Sequence, residues 1–447
     1  MFSKEKKKEK ALLVFIKFKN YKIKDENASE KKSLEEEKEE LKNLALSAGA
    51  EVYEIITNLQ EKPNPKYFIN PGKLEEISEI VSGDEVDLVI FDDEVTPAQQ
   101  ANLQSKLKIK VIDRTALILD IFAQRARSRE GRLQVELAQL NYLLPRLRGK
   151  GTELSRLGGG IGTRGPGESK LESDRRKIRW SINLLEKKIE QISIQRDIQR
   201  KKREKSGVFK IALVGYTNSG KSTLINILTN SKVLEKDMLF STLDSTTRRL
   251  DIKTGIEVSI SDTVGFIEKL PHQLIAAFKS TLEEVTKADL LLVITDISNI
   301  NFEKHILSVK KVLDELKIKD KDFLLVFNKI DKVSDSKIIN NARIIYRNSV
   351  FISAKNSEGI ENLIKKIKDV IFSNHLKVKI SIPYNAYKYE SMIYESCSVL
   401  EKKYSENETT LKVLCNKNNY LKLSSIAKKE KSIKIVLQKN KLKEIDS

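Results

Sequence analysis

Phe209-Lys210-Ile211-Ala212-Leu213-Val214 runs directly into Gly215-Tyr216-Thr217-Asn218-Ser219-Gly220-Lys221-Ser222. The first six residues read as a strand. Leu224, Ile225 and Leu228, just beyond, have the spacing of a helix. Together they make the GxxxxGK[ST] phosphate loop in the strand–loop–helix setting it requires. Glycines permit the tight wrap, while backbone N–H groups and the helix N-terminus face an anion. Lys221 is expected to neutralise charge on the β- and γ-phosphates, including charge that develops in the transition state. Ser222 is expected to ligate Mg²⁺.

Three further motifs follow in order, each at the end of an apolar run. Val258-Ser259-Ile260-Ser261 leads into Asp262-Thr263-Val264-Gly265. There the aspartate can hold Mg²⁺ through water, and the Gly265 N–H can sense a γ-phosphate. Phe323-Leu324-Leu325-Val326-Phe327 leads into Asn328-Lys329-Ile330-Asp331. The Asp331 carboxylate can accept two hydrogen bonds from guanine N1 and N2. Adenine lacks that donor pair, and a mismatch of this kind discriminates by about 10⁴-fold. Val350-Phe351-Ile352 leads into Ser353-Ala354-Lys355, whose backbone can reach guanine O6. Each short motif alone is weak, but four at successive strand ends predict a G domain over 208–375.

The loop that closes over the γ-phosphate lies between Ser222 and Asp262. Phe240-Ser241-Thr242-Leu243-Asp244-Ser245-Thr246-Thr247 offers three threonines, any of which could complete the Mg²⁺ shell. Many small GTPases carry a water-orienting Gln directly after DxxG, and here that position is Phe266. Lys221 and Gly265 remain as catalytic candidates. Intrinsic hydrolysis is expected to be slow, with a partner or a rearranged switch loop completing the site; a partner could raise the rate by about 10³–10⁵-fold.

Outward from this core, three more regions are expected. Residues 1–120 alternate strand and helix with short links, which predicts a small parallel α/β domain. Residues 121–207 carry two apolar stripes, Leu133/Leu137/Leu140/Leu144 and Leu171/Ile178/Ile182/Leu185/Ile189/Ile192. These predict a helical hairpin. Between the stripes, 149–167 holds 8 of the 18 glycines, together with Lys150, Arg156 and Arg164. A loop of that length is commonly functional, and the three cations are candidate RNA contacts. Residues 376–447, with alternating apolar positions from Lys377 to Ile382, predict a small C-terminal α/β domain. The fold class is thus α/β and multi-domain.

Charge supports this division. The net charge is +19 over 447 residues. Residues 121–210 hold 23 Lys/Arg against 10 Asp/Glu, and 376–447 hold 15 against 8. The basic excess therefore flanks the G domain and points to a polyanionic partner, nucleic acid or an anionic membrane surface. The spacing of the two cysteines matches no metal or redox motif and excludes a disulfide framework; a reducing, cytoplasmic home fits. The three histidines are too scattered for a zinc site. No segment approaches the roughly 20 apolar residues of a membrane span, so membrane contact is expected to be at most peripheral.

The motifs resemble those of the HflX family of translation-factor-class GTPases. The resemblance rests on GYTNSGKSTL (215–224), FSTLDSTTR (240–248), DTVGF (262–266), NKID (328–331) and SAK (353–355). Outside the G domain it rests on NPGKLEEI (70–77), FDDEVTPAQQ (91–100), VIDRT (111–115), RARSREG (125–131) and GTRGPGES (162–169). It covers roughly residues 45–375. GTP and GDP are the expected ligands and a monomer the expected state. The resemblance implies Thr242 as the second Mg²⁺ ligand beside Ser222 and a hydrophobic residue at the position of Phe266. It also implies binding to the large ribosomal subunit, in some members to split stalled or stressed ribosomes, with the basic hairpin reaching ribosomal RNA. The alternatives are a signalling GTPase that recruits a protein effector and a peripheral membrane GTPase.

Overall fold

A computed structural model describes residues 8–18, 28–83, 85–147, 166–204, 208–229, 239–240, 246–252, 254–267, 269, 283–316, 318, 321–430 and 432–438. Lys150, Arg156, Arg164 and nearly all of the Gly-rich loop lie outside the described residues, as do Ser241, Thr242, Leu243 and Asp244.

The N-terminal elements are β1 (Lys10–Phe18), α1 (Ala28–Ala48), β2 (Glu51–Gln60), α2 (Pro71–Gly83), β3 (Leu88–Phe91), α3 (Pro97–Leu107) and β4 (Lys110–Asp113). Their four strands form one parallel sheet in the order β2-β1-β3-β4. Leu12, Leu13 and Val14 of the central β1 are fully buried, as a strand covered on both faces requires. Thr96 starts α3 with a capping box to Gln99 and with Pro97 in the first turn. On one face the sheet packs Val89, Phe91 and Leu103 with Phe68 and Ile77. Its other face joins a larger core described below.

Next come α4 (Arg114–Arg125), α5 (Arg129–Arg146) and α6 (Pro166–Glu204). Asp113 caps α4 and Ser128 caps α5 through side-chain bonds to Ala116 and Gly131 N–H. The deeply buried face of α5 is Gln134, Val135, Ala138 and Tyr142, one position round the helix from the leucine stripe, which is only half-buried. Val135, Ala138 and Tyr142 share the core that holds Leu117, Ile121 and Phe122 of α4. In α6 the stripe is deepest at Ile182 and Leu185. That helix begins at Pro166 and so takes in the last two residues of the expected loop, because proline suits a first helical position.

The G region contains β5 (Phe209–Gly215), α7 (Lys221–Thr229), β6 (Thr246–Leu250), β7 (Val258–Asp262), α8 (Glu283–Lys287), β8 (Leu290–Asp296), α9 (Phe302–Glu315), β9 (Asp322–Asn328), α10 (Ser336–Ile345), β10 (Val350–Phe351) and α11 (Ile360–Asn374). Its six strands run β10-β9-β8-β5-β7-β6, all parallel except the antiparallel edge β6. The C-terminal region contains β11 (Leu376–Pro383), α12 (Lys388–Ser396), β12 (Ser398–Tyr404), β13 (Glu408–Cys415), α13 (Lys417–Lys429) and β14 (Lys434–Gln438). These strands make an antiparallel sheet in the order β12-β13-β11-β14.

One hydrophobic core crosses between the N-terminal and G regions. It joins Leu41, Leu44, Leu117, Ile121 and Phe122 to Phe240, Val264, Phe266, Val293 and Ile306. The ring of Phe122 meets Phe240 edge to face at 4.6 Å and 81°. Such a pair adds about 0.5–1.5 kcal/mol beyond its area burial. Among the described residues, no helix is long and apolar enough to cross a membrane.

Candidate nucleotide site

The phosphate loop leaves β5 at a position only glycine can occupy: a Cβ on Gly215 would lie 2.2 Å from the Ile294 carbonyl oxygen of neighbouring β8. Asn218 (φ 57°) and Gly220 (φ 91°) then take left-handed backbone conformations that turn the chain into α7. A Cβ on Gly220 would fall 2.1 Å from Asn328 Nδ2. Thr217 Oγ1 and Ser219 Oγ are buried with no hydrogen-bond partner among the described residues. Orphaned hydroxyls in a loop of this shape fit a polar ligand.

Lys221 is buried, and its ammonium donates to the Gly215 carbonyl at 3.1 Å and the Tyr216 carbonyl at 2.7 Å. Burial pushes its pKa down to about 8, against the pull of Asp262. Ser222 Oγ donates to Asp262 Oδ2 at 3.1 Å. The hydroxyl and carboxylate expected around Mg²⁺ are thus side by side, and both are the hard oxygen donors that ion takes.

The DxxG segment lies along the phosphate loop. Thr263 Oγ1 donates to the Leu213 carbonyl at 2.5 Å. Thr217 N–H donates to the Phe266 carbonyl at 2.7 Å, and Phe266 N–H donates to the Gly215 carbonyl at 3.0 Å. This backbone bridge holds Val264 and Gly265 against the loop, where a Cβ on Gly265 would sit 2.9 Å from Thr217 Cα. The Phe266 side chain is buried in the shared core.

Asn328 ties the base end to the phosphate end. Its Nδ2 donates to the Ser219 carbonyl at 2.8 Å, and its Oδ1 accepts from Ala354 N–H at 2.9 Å. Asp331 Oδ1 accepts from Ser353 Oγ at 2.6 Å, which orients the carboxylate expected to read guanine. Lys329 (φ 64°) pairs with Asp296 at 2.8 Å, Ile330 is half-buried, and Lys355 is exposed. Of the expected nucleotide residues that are described, all but Phe240 gather here; Phe240 packs on Phe122.

Several contacts at this site carried no signal in the sequence. Tyr216 stacks on His305 at 3.8 Å and 9°, and its hydroxyl donates to Glu40 of α1. Glu40 also pairs with buried Arg114, which reaches Asp92 at 2.6 Å. Lys269, three residues past Phe266, reaches the same Asp92 at 2.6 Å and Asp93 at 2.7 Å. Burial opposes the charge on Asp92, but Arg114 and Lys269 outweigh it and its pKa is lowered. A chain of charged groups thus connects the phosphate loop, the N-terminal domain and the segment after DxxG. Glu36 accepts from Ile300 N–H at 3.3 Å and Asn301 Nδ2 at 2.9 Å. With Glu37, Glu39 and Glu40 it lines a cavity of about 190 Å³ whose other wall is Tyr216 to Ser219. These contacts join residues up to 265 positions apart, and local pattern does not encode such pairings.

A phosphate loop, an Asp262–Ser222 pair and an Asn328-anchored base loop on one mostly parallel sheet define a P-loop GTPase. Three family profiles match the chain: "GTP-binding GTPase N-terminal" over 35–123, "GTP-binding GTPase Middle Region" over 125–203, and "50S ribosome-binding GTPase" over 210–329. GTPase HflX of Caldanaerobacter subterraneus subsp. tengcongensis is 47% identical over 378 residues, covering 85% of this chain and 87% of that one. GTPase HflX of Escherichia coli K12 is 42% identical over 374 residues, covering 83% and 88%. A crystal structure of a GTP-binding protein from Sulfolobus solfataricus in complex with GDP is 27% identical, covers 81% of this chain and 98% of its own, and has a TM-score of 0.43. The chain belongs to the HflX family of GTPases. It is a GTP hydrolase.

Proposed function

We propose that this GTPase docks on the large ribosomal subunit in its GTP–Mg²⁺ form, hydrolyses GTP there, and helps split or rescue stalled and stressed ribosomes. The observation that carries the reading is the match of 210–329 to a profile described as a 50S ribosome-binding GTPase. The net +13 charge of 121–210 beside that region supports it. Phosphate contacts made by such a module release counterions, so docking should weaken steeply with salt.

In this reading, backbone N–H groups of 218–222 bind the β-phosphate. Lys221 exchanges its carbonyl partners for β- and γ-oxygens. Ser222 and Thr242 would hold Mg²⁺, with Asp262 behind a water. Held there, the ion would supply positive charge against the phosphates. Asp331 reads guanine N1 and N2, and the 353–355 backbone reads O6. Gly265 N–H turns to the γ-phosphate once the Thr217–Phe266 bridge opens. The Phe266 side chain offers no hydrogen bond to water, so a group of the ribosome or a rearranged switch loop positions the nucleophile. The cytoplasm is the compartment where this partner resides.

The test is GTP hydrolysis by the purified protein with and without large subunits, alongside co-sedimentation in a non-hydrolysable analogue or GDP. Stimulation together with analogue-dependent sedimentation is expected. Absence of both leaves the GTPase assignment standing and removes the ribosomal one.

A further inference from the structure

The chain has two cysteines, 18 positions apart in sequence, and the fold brings them together. Cys415 ends β13. Cys397 caps α12, its N–H donating to the Ile393 carbonyl at 2.8 Å, and immediately precedes β12. Antiparallel pairing sets Ser398 opposite Leu414 and Val399 opposite Val413. One step further along the same ladder faces Cys397 to Cys415. Both side chains enter the same apolar core, with Val378, Ile393 and Val413 around them; the Cys415 thiol lies 3.9 Å from the Leu376 carbonyl oxygen, and each thiol shifts the pKa of the other.

Directly opposed residues of antiparallel strands have Cα atoms about 4.5–5.5 Å apart. That lies within the 4.4–6.8 Å range a disulfide spans. The two thiols are not equivalent. Cys397, at 9% exposure, sits at the rim, with Ser396 Oγ 3.7 Å from its sulfur. Hydrogen bonding from Cys415 and from Ser396 pulls its pKa down against burial. Cys415 is 1% exposed; the neighbouring Cys397 and burial push its pKa up. The pair is a less buried thiol with a lowered pKa beside a fully buried thiol on the facing strand.

We propose that Cys397 and Cys415 form an oxidation site at which a peroxide converts the thiol pair into a cross-strand disulfide. The Cys397 thiolate attacks a peroxide oxygen, forming an S–O bond and breaking O–O. Hydroxide leaves, takes up a proton and becomes water. The Cys415 sulfur then attacks the Cys397 sulfur, forming S–S and breaking S–O, and a second water leaves with the Cys415 proton. Two electrons pass to the peroxide, and a small-molecule thiol such as dithiothreitol returns them. In the cytoplasm such bonds are transient and redox-sensing rather than structural. The linked strands adjoin the G region. Leu414, next to Cys415, belongs to the core that holds Ile211, Leu224 and Leu363. Leu400 of β12 lies 2.8 Å from where a Cβ on Gly255 would stand.

The full chain, treated with hydrogen peroxide, is denatured, alkylated with iodoacetamide and weighed intact. The expected product has lost two hydrogens and carries no alkyl group, and dithiothreitol restores both alkylation sites. In Cys415→Ser, Cys397 should stop at the sulfenic acid and add dimedone. In Cys397→Ser, Cys415 should remain alkylatable. The proposal is overturned if both wild-type thiols stay alkylatable. It is equally overturned if Cys397 passes to the sulfinic acid with Cys415 still free, or if the only disulfide joins two chains. Should a serine variant not fold, the wild-type mass decides alone.

Discussion

Lys269 Nζ lies 2.6 Å from Asp92 Oδ2, although the two residues are 177 positions apart in sequence. Asp92 is buried, and Arg114 holds its other oxygen. The carboxylate therefore couples the segment after DxxG to the N-terminal domain. Removing one partner of a buried ionic cluster costs about 3–5 kcal/mol, because the remaining charge is stranded. Asp92→Ala should lower unfolding free energy in urea by that amount. A double-mutant cycle with Lys269→Met should return a coupling of about 0.5–3 kcal/mol. Additive single effects would show that the two groups are energetically independent.

The P-loop lysine gives the site a pH dependence. With its pKa near 8 in the free protein, Lys221 loses its proton at a pH where bound phosphates demand the ammonium. Binding must then take up a proton, so GDP affinity falls as pH rises past about 8, by at most about tenfold per pH unit. Titrations at pH 7 and pH 9 measure this, and a flat profile would contradict it.

Gly220→Ala strains a φ of 91° and drives a methyl into Asn328 Nδ2. The tie from Asn328 to Ser219 and Ala354 is then lost. Two lost hydrogen bonds plus a displaced buried amide amount to about 3 kcal/mol, or roughly 100-fold in GDP affinity. Equilibrium dialysis against GDP reads it; affinity within about threefold of wild type would show that the tie is dispensable.

Phe266→Gln does not create a fast GTPase. The side chain at this position is 2% exposed in an apolar core, so the amide is buried without partners, at about 1–3 kcal/mol. The expected outcome is lower stability with intrinsic single-turnover hydrolysis no faster than wild type. A rate increase above tenfold would mean that the segment leaves the core unaided.

His305 is driven by burial to a pKa of about 4, against the pull of Asp296. The unfolded chain, with an ordinary imidazole, binds the proton first as pH falls below 6.5. Stability from this group is therefore present above 6.5 and lost progressively toward pH 4, about 2 kcal/mol of it by pH 5. His305→Phe keeps a ring on Tyr216 and should flatten that part of the urea-unfolding profile. An unchanged profile would assign the acid sensitivity to other groups.

The motifs of the nucleotide site could be read from the sequence because each motif is local. A phosphate loop needs its glycines, lysine and serine within eight residues, and the other motifs close successive strands of one sheet. Strand β1 and the capped start of α3 rest on equally local signals: an apolar run and cap chemistry each act over a few residues. The buried face of α5 was not legible, because three faces of that helix carry apolar residues and only packing against α4 selects one. Tertiary structure alone decided that Glu40, Arg114, Asp92 and Lys269 join into one chain of charges, that Phe240 turns to Phe122, and that Cys397 faces Cys415. Such pairings depend on how separate elements dock and on strand register, and sequence spacing carries no record of either.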